Sequence, residues 1–322
     1  MTTPRAPLAP HRLGLALSSG SARGWAHLGI LAELVARGIR PQVVAGASVG
    51  ALVGAAYANG RLDDLAGWVC TLTQREVWRL VDATFHGGGV MNGHRLMEAI
   101  AGHTGNARIE ELPLHFGAVA TDLYTGQEVW IHSGPMLSAV RASSGLPGLF
   151  APMWHQDRWM IDGGVVNPLP VSLCRALGAD SVIAVDLSRR VTRSEQRALG
   201  ANAHGPARSS PHGQGGDGNG QAASVEGAAV LSRWAGLVDG LVESFRSRRS
   251  EPGLFEVMTG AVNIMQDRLT RDRIAKDAPD VVLRPELDDF QLMDFHRARE
   301  AIDAGRSAVQ AAARSLERFA AP

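Results

Sequence analysis

Three observations predict an α/β protein. The apolar run Leu13–Leu17 is followed by a small-residue loop, a helix-patterned stretch at 24–37 and a second apolar run at 43–45. This is a strand–helix–strand unit, whose crossover is almost always right-handed and whose strands are parallel and buried. A helix pattern at 171–177 leading into Ser181–Val185 supplies another helix–strand unit, and 322 residues with 45% apolar content provide ample core for one large domain.

Within the first unit, Leu28, Leu31, Leu34 and Val35 share one helical face, and Gly38 follows as a C-terminal cap. The strand at 41–45 turns directly into a helix at 49–59. Further helix patterns cover 62–78 and 94–103. Strand-like stretches at 116–120 and 128–132 turn at Gly126. A helix at 135–143 enters Ser144-Gly145-Leu146-Pro147-Gly148, and a short strand at 159–161 enters Asp162-Gly163-Gly164. Helical patterning returns at 230–246 and 255–274, followed by a strand, Val281–Leu283, and a last helix at 293–319. Phe295, Ala298, Ile302, Val309 and Leu316 fall near one face of that helix, which is expected to pack on the sheet. Membrane insertion is its sharper alternative, opposed by the mixed signs of charge on the polar face.

The expected organisation is a single domain over 10–322, with a flexible Pro-rich terminus at 1–9 and a disordered insertion at 189–225. The insertion is rich in Gly, Ser, Ala, His, Asn and Gln, and 206–220 has no large apolar side chain. Such a stretch cannot offset its ordering entropy by burial. His204 and His212 within it, eight apart in a coil, make a poor metal cage.

Lys+Arg and Asp+Glu balance at 32 each, so no global field draws the chain to nucleic acid or to an anionic membrane. Lys276 is the sole lysine. Cys70 and Cys174, far apart and outside any C-x-x-C spacing, argue against a disulfide framework or a zinc site and for a reducing compartment. No run approaches the roughly 18 apolar residues of a membrane span, and Leu13–Leu17 is too short for a signal-peptide core. A cytoplasmic protein is expected, with docking on the inner face of the membrane left open. No pattern speaks to oligomeric state.

Chemistry concentrates at Gly46-Ala47-Ser48-Val49-Gly50, where the strand must turn into the helix. On such a turn a serine is pushed out of the sheet edge, and glycines on either side let the backbone tighten. The pentapeptide alone reads equally as a small-residue turn that spells G-x-S-x-G, so the other parts of a serine site decide the matter. A nucleophilic serine needs a proton acceptor, donors for the oxyanion and an acyl pocket. After Asp162 the chain offers only His204, His212 and His296, and none of them sits on a strand-to-loop junction. Asp162 does, on a tight glycine turn, and can take the serine proton directly, although Asp-Gly-Gly is otherwise a common turn. The oxyanion donors are expected in the loop Ser18-Ser19-Gly20-Ser21-Ala22-Arg23-Gly24, at a helix N-terminus. A dinucleotide loop is the competing interpretation of that segment, but Ser19 and Ser21 break G-x-G-x-x-G and no acidic residue closes the second strand.

These residues resemble the patatin-like phospholipases, in particular their short bacterial members, from Leu13 to about Ala312 apart from the insertion. Leu15 to Gly29 is similar to the family's oxyanion loop and following helix, and Gly46 to Gly50 to its nucleophile elbow. Asp162-Gly163-Gly164 is similar to its D-G-[GA] block, and Ala142 to Gly148 to its proline-containing block. The resemblance implies a three-layer α/β/α sandwich with a mainly parallel sheet and a lipid acyl ester as substrate. It makes Ser48 the nucleophile and Asp162 the base, with no metal or cofactor. Serines at 19 and 21, where the family usually has glycines, narrow the allowed backbone of the oxyanion loop. A catalytically weak lipid-binding or regulatory protein on the same fold is therefore the alternative, and a nucleotide-binding module a distant third. His27 is expected to pack beneath the oxyanion loop, Asp122 to support a neighbouring loop, and Trp68, Trp78, Met153 and Trp154 to line core or acyl pocket. The glycines after His86 are expected to form a lid.

Overall fold

Strand β1 (Leu13–Leu17) is the spine of the sheet, buried along its whole length between β2 (Val43–Ala47) and β7 (Ser181–Val185), both parallel to it. The other strands are β3 (His115–Asp122), β4 (Glu128–Ile131), β5 (Met153–His155), β6 (Arg158–Asp162) and β8 (Val281–Leu283). The eight run in the order β5-β6-β3-β2-β1-β7-β8, with β4 also paired to β3. The sheet is mixed: its centre is parallel, while β4, β5 and β6 add antiparallel pairs beyond β2. The computed structural model describes residues 11–82, 91–188 and 254–320. The expected flexible terminus, the glycine loop after His86, the insertion at 189–225 and the helix at 230–246 lie outside them. Residues 11–188 and 258–320 form one compact unit.

Side chains of the central strands alternate between two faces, which makes three layers. Leu15, Leu17, Val44, Ile183 and Val185 face one apolar cluster. It is shared with helices α1 (Ala26–Ala36), α2 (Val49–Ala58), α3 (Leu62–Val69), α5 (His94–Thr104) and α6 (Met136–Ser143). Ala16, Val43, Ala45, Val182 and Ala184 face a smaller cluster under α7 (Val171–Ala176), with Ile274 of α8 (Leu254–Asp277) packed against it. No helix among the described residues is long and apolar enough to cross a membrane.

Three elements differ from the sequence pattern. The helix expected at 62–78 is two, α3 and α4 (Gln74–Arg79), because Thr73 starts a new one. Its Oγ1 accepts the Glu76 N–H while the Glu76 carboxylate accepts the Thr73 N–H at 2.6 Å, a capping box. Strand β5 is unforeseen, since its hairpin turns through Gln156 and Asp157 at φ 49° and 59°, a left-handed pair usually built from Asn or Gly. The last helix is a 3₁₀ turn, Phe295–Arg297, followed by α9 (Ala298–Ala311) and α10 (Ala313–Leu316).

Helix α9 packs on α1 rather than on the sheet. The two backbones come so close that a β-carbon on Gly29 would fall on the Ile302 carbonyl, and one on Gly305 on the Ala26 carbonyl. Gly29→Ala is therefore expected to destabilise the fold by about 1–3 kcal/mol, although alanine would raise helix propensity by about 1 kcal/mol. A urea denaturation midpoint at or above that of the wild type would show that the helices can part without cost.

Candidate active site

The sheet register brings the two sequence-distant turns together. Val119 of β3 pairs with Ala47 on one side and Trp130 on the other, and Ala120 pairs with Asp162 and Val129. Since β4 occupies one edge of β3 at both positions, β2 and β6 share the opposite edge. They approach from opposite directions and end one β3 residue apart, at Ala47 and Asp162. Ser48 therefore leaves its strand beside the carboxyl of Asp162.

Ser48 has φ 55° and ψ −123°, a conformation that non-glycine residues rarely adopt, and α2 begins at the next residue. The flanking glycines are required by close approach. A β-carbon on Gly46 would strike the Gly50 carbonyl, and one on Gly50 would strike the carbonyl of Leu17. Ala47 and Val49 between them are buried. The Ser48 N–H donates to Ser143 Oγ at 2.8 Å, and Ser143 Oγ donates to the Val119 carbonyl at 2.6 Å. The proline-containing block thus clamps the strained turn through one hydroxyl, a role that residue type and spacing left open.

Asp162 is fully buried. Its Oδ1 accepts the Gly164 N–H at 2.7 Å, while Oδ2 has no hydrogen-bond partner among the described residues. Burial pushes the carboxyl up to about 6 from 3.8, opposed by the nearby Ser48 hydroxyl and the Gly164 amide. The hydroxyl is close enough to favour the carboxylate, though no hydrogen bond of regular geometry joins the two. Asp162 N donates to the Gly145 carbonyl at 3.0 Å, and its own carbonyl accepts from Thr121 Oγ1 at 2.8 Å, so the turn is held from both sides. A β-carbon on Gly163 would fall on the Val119 carbonyl.

The loop before α1 is a 3₁₀ turn, Ser21–Trp25. Of its expected donors, the Ala22 N–H is committed to the Leu292 carbonyl at 3.3 Å and the Arg23 N–H turns back to the Gly20 carbonyl at 3.2 Å. The N–H groups of Gly20 and Ser21 have no partner among the described residues. Gly24 is held against Val49, into which any β-carbon would run. Ser21 takes φ 48°, so a serine here occupies glycine territory.

Ser21 and Ser48 open on a cavity of about 120 Å³ that is otherwise mostly apolar, walled by Leu52, Trp68, Leu96, Ile100 and Leu149 among others. Arg141 also reaches it, with its guanidinium bonded to the carbonyls of Asn92 and Ala151. Trp154, by contrast, neither lines this cavity nor enters the core. It is 53% exposed and meets Trp159 edge-on, because β5 lies at the margin of the sheet. His27 is buried beneath the loop, where Nε2 donates to the Ser18 carbonyl at 2.8 Å and burial lowers its pKa to about 4. It is neutral, and its Nδ1 is buried with no partner among the described residues. Asp122 accepts the N–H groups of Tyr124 and Thr125 and so shapes the β3–β4 turn. No cluster of metal-ligating side chains occurs among the described residues.

Residues 15–175 match the family model for patatin-like phospholipase. An uncharacterized NTE family protein of Mycobacterium tuberculosis is 33% identical over 96% of this chain and 92% of its own length. The chain belongs to the patatin-like phospholipase family. Another NTE family protein of M. tuberculosis is 35% identical over 58% of this chain and 32% of its own length. Lysophospholipase NTE1 of Coccidioides immitis is 29% identical over 91% of this chain but 17% of that much longer protein. Membership implies a lipid hydrolase, and in this patatin-like chain the elbow and the D-G-G turn are the elements that meet along β3.

The strain at Ser48 has a measurable consequence. Ser48→Gly is expected to stabilise the protein by about 1 kcal/mol, since a left-handed serine stores about 1–3 kcal/mol and added unfolded-state freedom returns part of it. Chemical denaturation reads this directly, and a Ser48→Gly variant less stable than wild type would mean that the turn is not strained.

Proposed function

We propose that this chain is a serine acyl-ester hydrolase acting on lipids, with Ser48 as nucleophile and Asp162 as general base. The observation that carries this reading is the buried Asp162 carboxyl, with one oxygen unpartnered, beside a strained serine at the mouth of an apolar cavity. Oδ2 of Asp162 accepts the Ser48 proton as Oγ attacks the ester carbonyl. The N–H groups of Gly20 and Ser21 hold the oxyanion, helped by the positive end of the following helix. The protonated Asp162 then donates to the leaving alkoxide. In the second half-reaction the carboxylate takes a proton from water as the water oxygen attacks the acyl-enzyme, and the protonated Asp162 returns that proton to the departing Ser48 Oγ, which releases the fatty acid and restores both groups. No imidazole is assigned to the proton transfer, and His27 is held beneath the loop by the Ser18 carbonyl.

The cavity beside Ser48 has the apolar lining an acyl chain requires, and a relative bears the name lysophospholipase. A single-chain lysophospholipid is accordingly the substrate class we favour. Ser21 adopts the backbone a glycine would take, which supports a working oxyanion loop over the alternative of a slow lipid-binding module.

A fluorophosphonate probe is expected to label the wild type and to leave Ser48→Ala unlabelled, with lysophospholipid turnover lost in the same variant. Labelling that persists in Ser48→Ala places the nucleophile elsewhere. The rate kcat/KM should rise with pH through a midpoint near 6, as Asp162 ionises. A flat profile between pH 5 and about 8 would contradict a carboxylate base of that pKa.

Stability should run the other way. The folded-state pKa of Asp162 lies above the unfolded value, so the stability it confers is whole below about pH 4 and is lost as pH rises through about 6. Asp162→Asn, which removes the buried charge, is expected to lower kcat by about 10²–10⁴-fold while stabilising the fold at pH 8 by about 1–3 kcal/mol. Thermal melts and initial rates on one preparation check both, and a less stable, fully active variant would refute the assignment.

A further inference from the structure

Helix α8 is turned with its polar side inward. Thr259, Val262, Gln266 and Thr270, at three- and four-residue spacing, are buried, whereas Met258, Ile264 and Met265 are 39%, 71% and 51% exposed. Apolar burial alone would rotate the helix the other way. A buried amide also needs hydrogen-bond partners to offset its desolvation. For Gln266 the partner lies at the candidate site, since Ser19 Oγ donates to its Oε1 at 3.2 Å in a buried contact spanning 247 residues of sequence.

The same side chain borders the Asp162 turn. Gln266 Nε2, Ser19 Oγ and Asp162 Oδ1 lie 2.5, 2.7 and 2.9 Å from the point where a β-carbon on Gly164 would stand. The side chains of the loop, the base and the helix therefore converge around one missing methyl group. Ser19 precedes Gly20 and Ser21, whose N–H groups, unpartnered among the described residues, are the donors assigned above, and its own N–H is fixed to the Pro168 carbonyl at 2.9 Å. Gln266 does not line the acyl cavity.

We propose that Gln266 is a positioning residue whose side-chain amide holds Ser19, and with it the Gly20–Ser21 donors, against the Asp162–Gly164 turn. The seating of α8 then sets the geometry of the reacting groups. This role rests on the hydrolase reading. It assigns to a helix outside the four sequence blocks, at the far end of the 189–253 stretch, control over kcat.

Gln266→Met keeps the volume and removes the amide. In the full-length protein, with a short p-nitrophenyl acyl ester as substrate, kcat is expected to fall about ten- to a hundredfold, with KM within twofold of wild type as a rough bound. Ser19→Ala breaks the same hydrogen bond from its other end and should give a similar loss. The double variant should be no slower than the worse single one, because both remove one interaction. Should Gln266→Met fail to fold, Ser19→Ala carries the same expectation on its own.

Fluorophosphonate labelling of the wild type separates the two levels of the argument. If Ser48 is not labelled, the hydrolase reading falls and this role falls with it. If Ser48 is labelled and the folded variants retain wild-type kcat, the positioning role is overturned while the hydrolase reading stands. Additive losses in the double variant, or a loss confined to KM, would likewise overturn it.

Discussion

Sharing of one edge of β3 by two strands is the constraint on which the site depends. β2 arrives parallel and β6 antiparallel, and each stops where the other begins, with β4 closing the opposite edge. A strand end is where a chain must turn, and two ends meeting along one edge put two turns face to face. The hydroxyl and the carboxyl are thus brought together by backbone register before any side-chain contact is made. The clamp from Ser143 to Ser48 N and the bond from Asp162 N to Gly145 then tie both turns to the same connecting block, which fixes their separation to the packing of α6 on the sheet.

The chemistry proposed for the pair explains why the arrangement is costly. A carboxylate in water is too weak a base to share a proton usefully with a serine, and burial raises its affinity for that proton. The burial that makes Asp162 a better base also makes its ionised form expensive to fold around. Ser48 adds backbone strain on the neighbouring strand end. Both costs fall on the site, and the parallel strands and their two apolar clusters, which take no part in the chemistry, offset them. An imidazole relay would relieve the carboxyl of direct proton transfer, but among the described residues the histidine buried beneath the loop before α1 is anchored through Nε2 to the Ser18 carbonyl.

Legibility in the sequence followed the range of the physics. β1 and β7 have the boundaries their apolar runs suggest, since a strand buried on both faces needs an unbroken run. The G-x-S-x-G elbow was legible because its glycines answer a local steric demand. Three features were not. The β5–β6 hairpin turns on Gln156 and Asp157, which carry no glycine signal. The Thr73 capping box lies inside an apolar pattern that reads as one long helix. Gln266 was beyond reach because its partner is 247 residues away, and a glutamine on a helix ordinarily faces solvent.

The serines in place of glycines in the oxyanion loop look like a loss of fitness for catalysis, yet their two positions behave differently. Ser19 needs no left-handed backbone, so a side chain costs nothing there, and its hydroxyl bonds the Gln266 amide. Ser21 does adopt φ 48°, and a serine held so stores about 1–2 kcal/mol relative to glycine. In exchange it loses fewer accessible unfolded conformations than glycine would, and its neighbours, Ala22 bonded to Leu292 and Arg23 bonded back to Gly20, hold the turn in that conformation. Rigidity that an all-glycine loop would have to find elsewhere is supplied here by side chains and by the helix behind them. An oxyanion donor acts through its fixed position, so a loop stiffened in this way is compatible with the role proposed for it.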